Sequence, residues 1–224
     1  MLYEHRWLRH ETPSWSELDN IFPEVENCSW SFCDEFAENI KGYSMSEGDI
    51  LEFGVACMGT ITNLAEFHPT RKVFGIDHFK GLEETNQPTP EYAGWYPCAF
   101  ALGDPNHSGM QCTLEELLDR VKSYDNVNII VEDIHDLKDP TEYGIAKVSA
   151  VHIDVDIYEP TVSALNFLDK CEWDKIYMRF DDWHGHEPDY DNHERLACRE
   201  WLTKNNYKYE LMENGLAGMM VVFR

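Results

Sequence analysis

The chain has 224 residues, with 18 Lys and Arg against 42 Asp and Glu and a formal charge of −24. A field of that sign repels phosphate backbones and anionic lipid, which argues against nucleic acid and membrane surfaces as partners. At 43% hydrophobic and 13% aromatic residues, the composition can fill a core and is not that of a disordered chain.

No apolar run approaches the roughly 18 residues of a membrane span, and the opening MLYEHRWLRHE has no apolar h-region of a secretory signal. Seven cysteines, an odd number without a CxxC pair, read as buried thiols in a reducing cytosol rather than a disulfide framework. The expectation is one cytoplasmic domain over 1–224, with room for a homo-oligomer.

Short apolar runs alternate with helical stretches, the rhythm of an α/β sheet with crossover helices. A helical segment is expected over about 1–45, its amphipathic part running from about Trp30 to Ile40 and ending at Gly42. Asp49–Gly54 reads as a first buried strand, a helix starts near Thr60, and Lys72–Ile76 reads as a second strand. Between about 80 and 112 the chain is rich in Pro, Gly, Asn and aromatics without periodicity, the signature of a lid or binding loop.

Thr113-Leu-Glu-Glu116 is a capping box opening a helix to about Tyr124. Strands are expected at Val127–Val131, Val148–Ile153 and Lys175–Phe180. One helix carries Pro160 near its first turn and another spans Asn192 to Lys204. The tail alternates as a hairpin, Lys208–Met212 and Met219–Phe223 around Asn214-Gly215.

Three stretches carry chemistry. LEFGVACMGT, Leu51 to Thr60, sits where a strand turns into a helix, so Gly54 and Gly59 let backbone pass close to a ligand at free helix N–H groups. Asp77 follows Gly54 by 23 residues and ends the second strand, a position suited to both ribose hydroxyls of a nucleoside. A plain strand–helix turn with an Asp cap is the simpler alternative, since GxGxxG spacing is absent. VHIDVDIYEPT (Val151 to Thr161) and RFDDWHGH (Arg179 to His186) end the fourth and fifth strands. Asp154, Asp156, Asp181 and Asp182 then gather on the rim that holds Gly54 and Asp77. Two carboxylates about 4 Å apart repel by roughly 4 kcal/mol at an effective dielectric near 20. Such a cluster either takes up protons or holds a hard cation such as Mg²⁺, Ca²⁺ or Mn²⁺. Helix caps and solvated carboxylates are the bland alternative.

The order LEFGVACMGT, VFGIDHFKGLEE, HIDVDIYEPTVSAL and FDDW resembles the macrocin O-methyltransferase family of S-adenosylmethionine-dependent enzymes, over nearly the whole chain from Trp30. The resemblance implies a Rossmann-like class I methyltransferase fold, with a seven-stranded, mostly parallel sheet and a C-terminal antiparallel hairpin. It implies a cofactor cradle of Glu52, Phe53, Gly54, Gly59 and Thr60, with Asp77 on the ribose and Phe79 beside it. Asp154, Asp181 and Asp182 correspond to the family's Mg²⁺ triad and Asp154 to its general base. Asp156 is then a neighbour behind the metal ligands. The implied reaction is methyl transfer to a hydroxyl of a small molecule, a sugar among the options. Met58 stands where the family has the first of two glycines, and Asp169–Asp174 replaces a glycine turn before the fifth strand.

Two other functions stay open. His152 and Asp154 with a later histidine match the two-histidine, one-carboxylate pattern of a non-haem Fe(II) oxygenase, although such enzymes sit on jelly rolls. A nucleoside-binding protein of the same fold without turnover is the other. His184 and His186 are expected either as structural hydrogen-bonding groups or in the acceptor pocket. Trp183, directly after Asp182, is a stronger ligand-contact candidate than Tyr92, Trp95 and Tyr96.

Overall fold

Alternation along each strand decides which side of the sheet a residue serves. In β2 (Asp49–Phe53) Ile50 packs on one face while Leu51 and Phe53 pack on the other. The computed structural model describes residues 7–8, 47–89, 95–183, 192–212 and 218–224. Within them β3 (Val73–Ile76), β4 (Val127–Ile130), β5 (Val148–Ile153) and β6 (Lys175–Phe180) join β2 in parallel. β7 (Lys208–Met212) and β8 (Gly218–Phe223) form the antiparallel hairpin, and β8 pairs with β6. These are the seven expected strands. A two-residue strand β1 (Trp7–Leu8), inside the stretch expected to be helical, adds an eighth at the edge of β7. The order is β1-β7-β8-β6-β5-β2-β3-β4. The expected helix over 30–40 and the turn at Asn214-Gly215 lie outside the described residues.

Both faces are covered, so β5 is buried along its whole length and its sequence VSAVHI does not alternate cleanly. One face packs on α1 (Gly59–Phe67) and α2 (Leu114–Asp119), through Ile61, Leu64 and Leu117. The other packs on α3 (Tyr158–Lys170) and α4 (His193–Asn205), where the Phe53 ring meets Phe167 edge-on at 6.0 Å. Burying an aromatic or aliphatic side chain of this kind stabilises by roughly 1.5–3 kcal/mol. Pro160 fits α3 because it stands in the first turn, where its missing N–H has no helical partner to serve.

The capping box at Thr113 is present, with Thr113 and Glu116 bonded in both directions. α2 nevertheless ends at Asp119 rather than near Tyr124. Beyond it the backbone tightens to i→i+3 bonds, and Arg120 turns to donate to the Cys57 and Gly109 carbonyls. The stretch replacing the glycine turn before β6 is an aromatic knot. Asp169 accepts from Trp201 Nε1 and Tyr207 OH, each at 3.0 Å, and the Arg224 guanidinium lies 4.2 Å from the Trp173 ring centre. The expectation of uniformly buried thiols is corrected. Cys171 and Cys198 are buried in the core, but Cys57 and Cys98 are exposed on loops that lack apolar cover.

The described part of the loop over 80–112 has one short 3₁₀ turn at Ser108–Met110 and is organised around Asp104. That carboxylate accepts from Tyr96 OH at 2.9 Å, Phe100 N–H at 3.0 Å and Asn106 N–H at 2.9 Å, and bonds His107 Nδ1 at 2.7 Å. Burial raises its pKa, but these bonds outweigh that and hold it well below the usual carboxylate range. No helix of the described residues is long and apolar enough to cross a membrane.

Candidate active site

The carboxyl ends of β2 and β3 make the first corner. Gly54 follows β2 at φ 81, and a Cβ there would lie 1.7 Å from the Asp154 carbonyl oxygen. Glycine is required at this point by the passage of the β5 end under the turn, a contact inside the protein. Asp77, at the end of β3, holds the turn from the other side. Its Oδ2 accepts from the Val55 and Ala56 N–H groups, both at 3.0 Å, and its Oδ1 accepts from Phe79 N–H at 2.6 Å.

The turn then enters α1 through Met58, at φ 70 in the left-handed region. Gly59 has no positive φ and a Cβ on it would meet only ordinary contact, 4.0 Å from Cys57 Sγ. The left-handed residue that opens α1 is thus one position earlier than the glycine that remains, and it is a buried methionine. Gly54, Asp77 and Ala56 line a cavity of about 580 Å³. Phe53, Thr60 and Phe79 are buried around the turn, with Phe53 and Phe79 in the apolar cores.

Glu52 belongs to a second layer. Parallel register places Glu52 opposite His152 and His152 opposite Arg179 on three neighbouring strands. Glu52 Oε1 lies 3.2 Å from His152 Nδ1, Arg179 Nη1 bonds His152 Nε2, and the same Nη1 pairs with Asp181 Oδ1 at 2.6 Å. Since Arg179 can only donate, His152 accepts at Nε2 and carries its proton at Nδ1, toward Glu52. Burial, then the Arg179 cation, holds the His152 pKa well below its ordinary value. Burial lifts the Glu52 carboxyl well above the carboxylate range, partly opposed by Arg179. Both imidazole nitrogens are therefore engaged within the protein, which weakens the two-histidine iron reading. His184 and His186 lie outside the described residues.

The second corner is the aspartate rim on the loops after β5 and β6. Asp154, Asp156, Asp181 and Asp182 all line the same cavity as Gly54 and Asp77. Ligand atoms lie within 4.8 Å of one another in two sets that share Asp154: Asp154, Asp156 and Asp182 in one, His152, Asp154 and Asp181 in the other. Asp156 thus stands among the carboxylates rather than behind them. Its backbone turns at φ 59, in the left-handed region, so it does not continue the extended course of β5. Asp181 leans instead to Arg179. Burial pushes the Asp156 carboxyl up to about 7, helped by the Asp181 charge and opposed by hydrogen bonds with Asp182 and Trp95. Burial and neighbouring carboxylates likewise raise Asp154 and Asp182 well above the usual range.

Two residues that the sequence reading passed over organise this rim. Glu194, fully buried at the start of α4, accepts from Val155 N–H at 3.2 Å and from Asp182 N–H at 3.0 Å. One carboxylate thereby ties the β5 loop to the β6 loop. Arg179 is the other. Its signal was a charged residue inside a strand otherwise suited to burial, KIYMRF. Glu194 gave no such signal, because a Glu in the first turn of a helix is ordinary. Trp95 lines the cavity and packs edge-on against His193 at 5.1 Å. Trp183 does not line the cavity: it is fully buried against Phe180, over Gly218, where no side chain would fit. Tyr96 is held by Asp104 outside the main cavity, and Tyr92 lies outside the described residues.

The strand order, the terminal hairpin and a cavity at the carboxyl strand ends define a Rossmann-like class I methyltransferase fold. Among solved structures the chain is similar to the O-methyltransferase NovP, at 22% identity and a TM-score of 0.59, covering 87% of this chain and 78% of that one. It is similar to CalS11, the calicheamicin methyltransferase, at 19% identity and a TM-score of 0.60, covering 86% and 77%. The apo form of CalS11, described as a TDP-rhamnose 3′-O-methyltransferase, aligns at 17% identity and a TM-score of 0.52, over 86% and 76%. These likenesses show the fold. No family model and no curated protein matches the sequence.

Proposed function

We propose that the chain is an S-adenosylmethionine-dependent O-methyltransferase of macrocin type, acting in the cytosol on a hydroxyl of a small molecule, a sugar hydroxyl foremost, with the help of Mg²⁺. The observation that carries this reading is one cavity of about 580 Å³ joining the Gly54–Asp77 corner to the aspartate rim, a volume suited to small-molecule sites. The residues fit both groups. Asp154, Asp156 and Asp182 offer oxygen donors close together, and burial raises the proton affinity of all three, a cost that a hard cation relieves. Three N–H groups on Asp77 leave it about one lone-pair site for a ribose hydroxyl.

When bound, the sulfonium supplies the methyl group and the metal lowers the pKa of the acceptor hydroxyl. The protein's own part is positioning and proton handling. Asp154 would take the proton that the acceptor hydroxyl loses when it receives the methyl group. Glu194 keeps Asp154 and Asp182 on converging loops, and Trp95 covers them from the loop over 80–112. The similarity to sugar-acting CalS11 supports a sugar hydroxyl as the first acceptor to try.

The test is methyl transfer from labelled cofactor to a panel of hydroxyl acceptors. Activity is expected to vanish with EDTA and return with Mg²⁺ or Mn²⁺. Asp182→Asn is expected to abolish turnover with little change in S-adenosylhomocysteine affinity. Binding of the cofactor without product on any acceptor would favour the non-catalytic nucleoside-binding reading, and full activity in EDTA would remove the metal from the account.

A further inference from the structure

The loops that follow the five parallel strands share a property that the methyl-transfer reading does not use. Residues 54–70, 81–119, 123–137, 154–169 and 180–194 contain no Lys or Arg, and the exposed Lys80 is the one exception between β3 and α2. Eight carboxylates line the cavity, and Arg179 is the one Lys or Arg among its described lining residues. That guanidinium is already engaged by Asp181 and His152. Among the described residues, a phosphorylated acceptor would meet neither the free bidentate arginine nor the lysine that phosphate recognition uses. Every nearby carboxylate would oppose it. One divalent ion, one sulfonium, Arg179 and the lining His78 and His135 together would offset only part of eight carboxylates.

The acceptor side of the cavity also has aromatic walls. Trp95 and Phe100 both line it. Trp95 is held against His193, and the Phe100 ring lies 3.9 Å from the His107 ring. Trp95 also hydrogen-bonds Asp156, so the indole stands at the carboxylates themselves. Carboxylates beside aromatic faces are the chemistry that recognises an organic ammonium group.

We propose that the acceptor is a hydroxyl compound bearing a basic amine, bound as its ammonium between the aspartate rim and the Trp95 and Phe100 rings, and that phosphorylated acceptors such as nucleoside diphosphate sugars are rejected. The proposal rests on the methyl-transfer reading and names the substrate class of that same site.

The test uses three sugars that differ at one carbon: 6-amino-6-deoxyglucose, glucose and glucose 6-phosphate. Each is titrated by calorimetry into the full-length protein loaded with S-adenosylhomocysteine and Mg²⁺. The amine is expected to bind at least about tenfold more tightly than glucose, and the phosphate more weakly than glucose. The preference for the amine is expected to shrink as salt is raised to about 1 M. Phe100→Leu is expected to weaken the amine by about threefold to tenfold and to weaken glucose by less, so that the preference for the amine shrinks. An amine that binds no better than glucose, binding of neither included, overturns the proposal, as does a phosphate that binds most tightly. Failure of S-adenosylhomocysteine to bind in the loading step rejects the methyl-transfer reading along with it. Normal loading followed by equal affinities for the three sugars rejects the amine assignment alone.

Discussion

Met58 sits at φ 70 with its side chain buried in the core under α1. A non-glycine residue in the left-handed region costs about 1–2 kcal/mol, so the apolar contacts of Met58 outweigh a backbone penalty. Removing the side chain separates the two effects. Met58→Ala loses the contacts and keeps the penalty, whereas Met58→Gly loses the contacts and relieves it. Met58→Gly is therefore expected to be the more stable variant, by about 1 kcal/mol in urea unfolding. A Met58→Ala variant as stable as Met58→Gly, or more stable, would contradict the observed geometry.

Gly54 gives the opposite case. A Cβ 1.7 Å from the Asp154 carbonyl cannot be accommodated by a side-chain rotation, because the obstacle is backbone. Gly54→Ala is expected to separate the ends of β2 and β5 and to lose the fold or S-adenosylhomocysteine binding. A soluble Gly54→Ala protein with wild-type affinity in calorimetry would refute this.

Among the elements, α4 has the strongest hold on the site. Glu194 accepts N–H groups from two loops at once, and a stranded buried donor costs roughly 1–3 kcal/mol. Glu194→Ala is expected to lower stability by about 2 kcal/mol, since relief of like-charge repulsion offsets part of that loss. It is also expected to weaken Mn²⁺ binding, read by electron paramagnetic resonance, because the two aspartate loops lose their common anchor. Unchanged stability and Mn²⁺ affinity would remove Glu194 from the account.

The same loops set a pH dependence. Asp156 titrates near 7 in the folded chain, whereas an unfolded Asp titrates near 4. Between those values the folded state keeps a proton that the unfolded state has released, so stability falls as pH rises through that window. Metal-free protein is expected to melt at a higher temperature at pH 5 than at pH 8, with Mn²⁺ recovering the loss at pH 8. Asp156→Asn is expected to reduce this slope, and a slope unchanged in that variant would mean that other groups produce it.

The elements were largely legible because their signals are local. The runs at Val148 and Lys175 gave strands with the observed bounds, and the Thr113 capping box gave its helix start. The site was legible only in part. Gly54, Asp77 and the four aspartates lie at strand ends, and a parallel sheet brings strand ends together. Arg179, Glu194 and the position of Asp156 depend on register across three strands, on the docking of α4 and on a left-handed turn. None of those is carried by neighbouring residues in the sequence. Trp183 shows the converse error, since adjacency to Asp182 said nothing of the core that encloses it.

At the scale of the whole molecule, the carboxyl ends of the strands join the Gly54–Asp77 corner to the aspartate rim inside a single cavity. Neither corner alone defines methyl transfer, and the account stands on both being served together. The most direct measurement is calorimetric titration of S-adenosylhomocysteine into wild type and Asp77→Asn. Asn keeps one oxygen for the Val55 and Ala56 N–H groups, gives up the bond from the Phe79 N–H and removes the charge at this position. The account predicts that wild type binds S-adenosylhomocysteine in preference to NAD. It predicts that Asp77→Asn stays folded and binds more than about tenfold more weakly, as expected for a lost hydrogen bond to a charged group. No binding to wild type, or a preference for NAD, would contradict it.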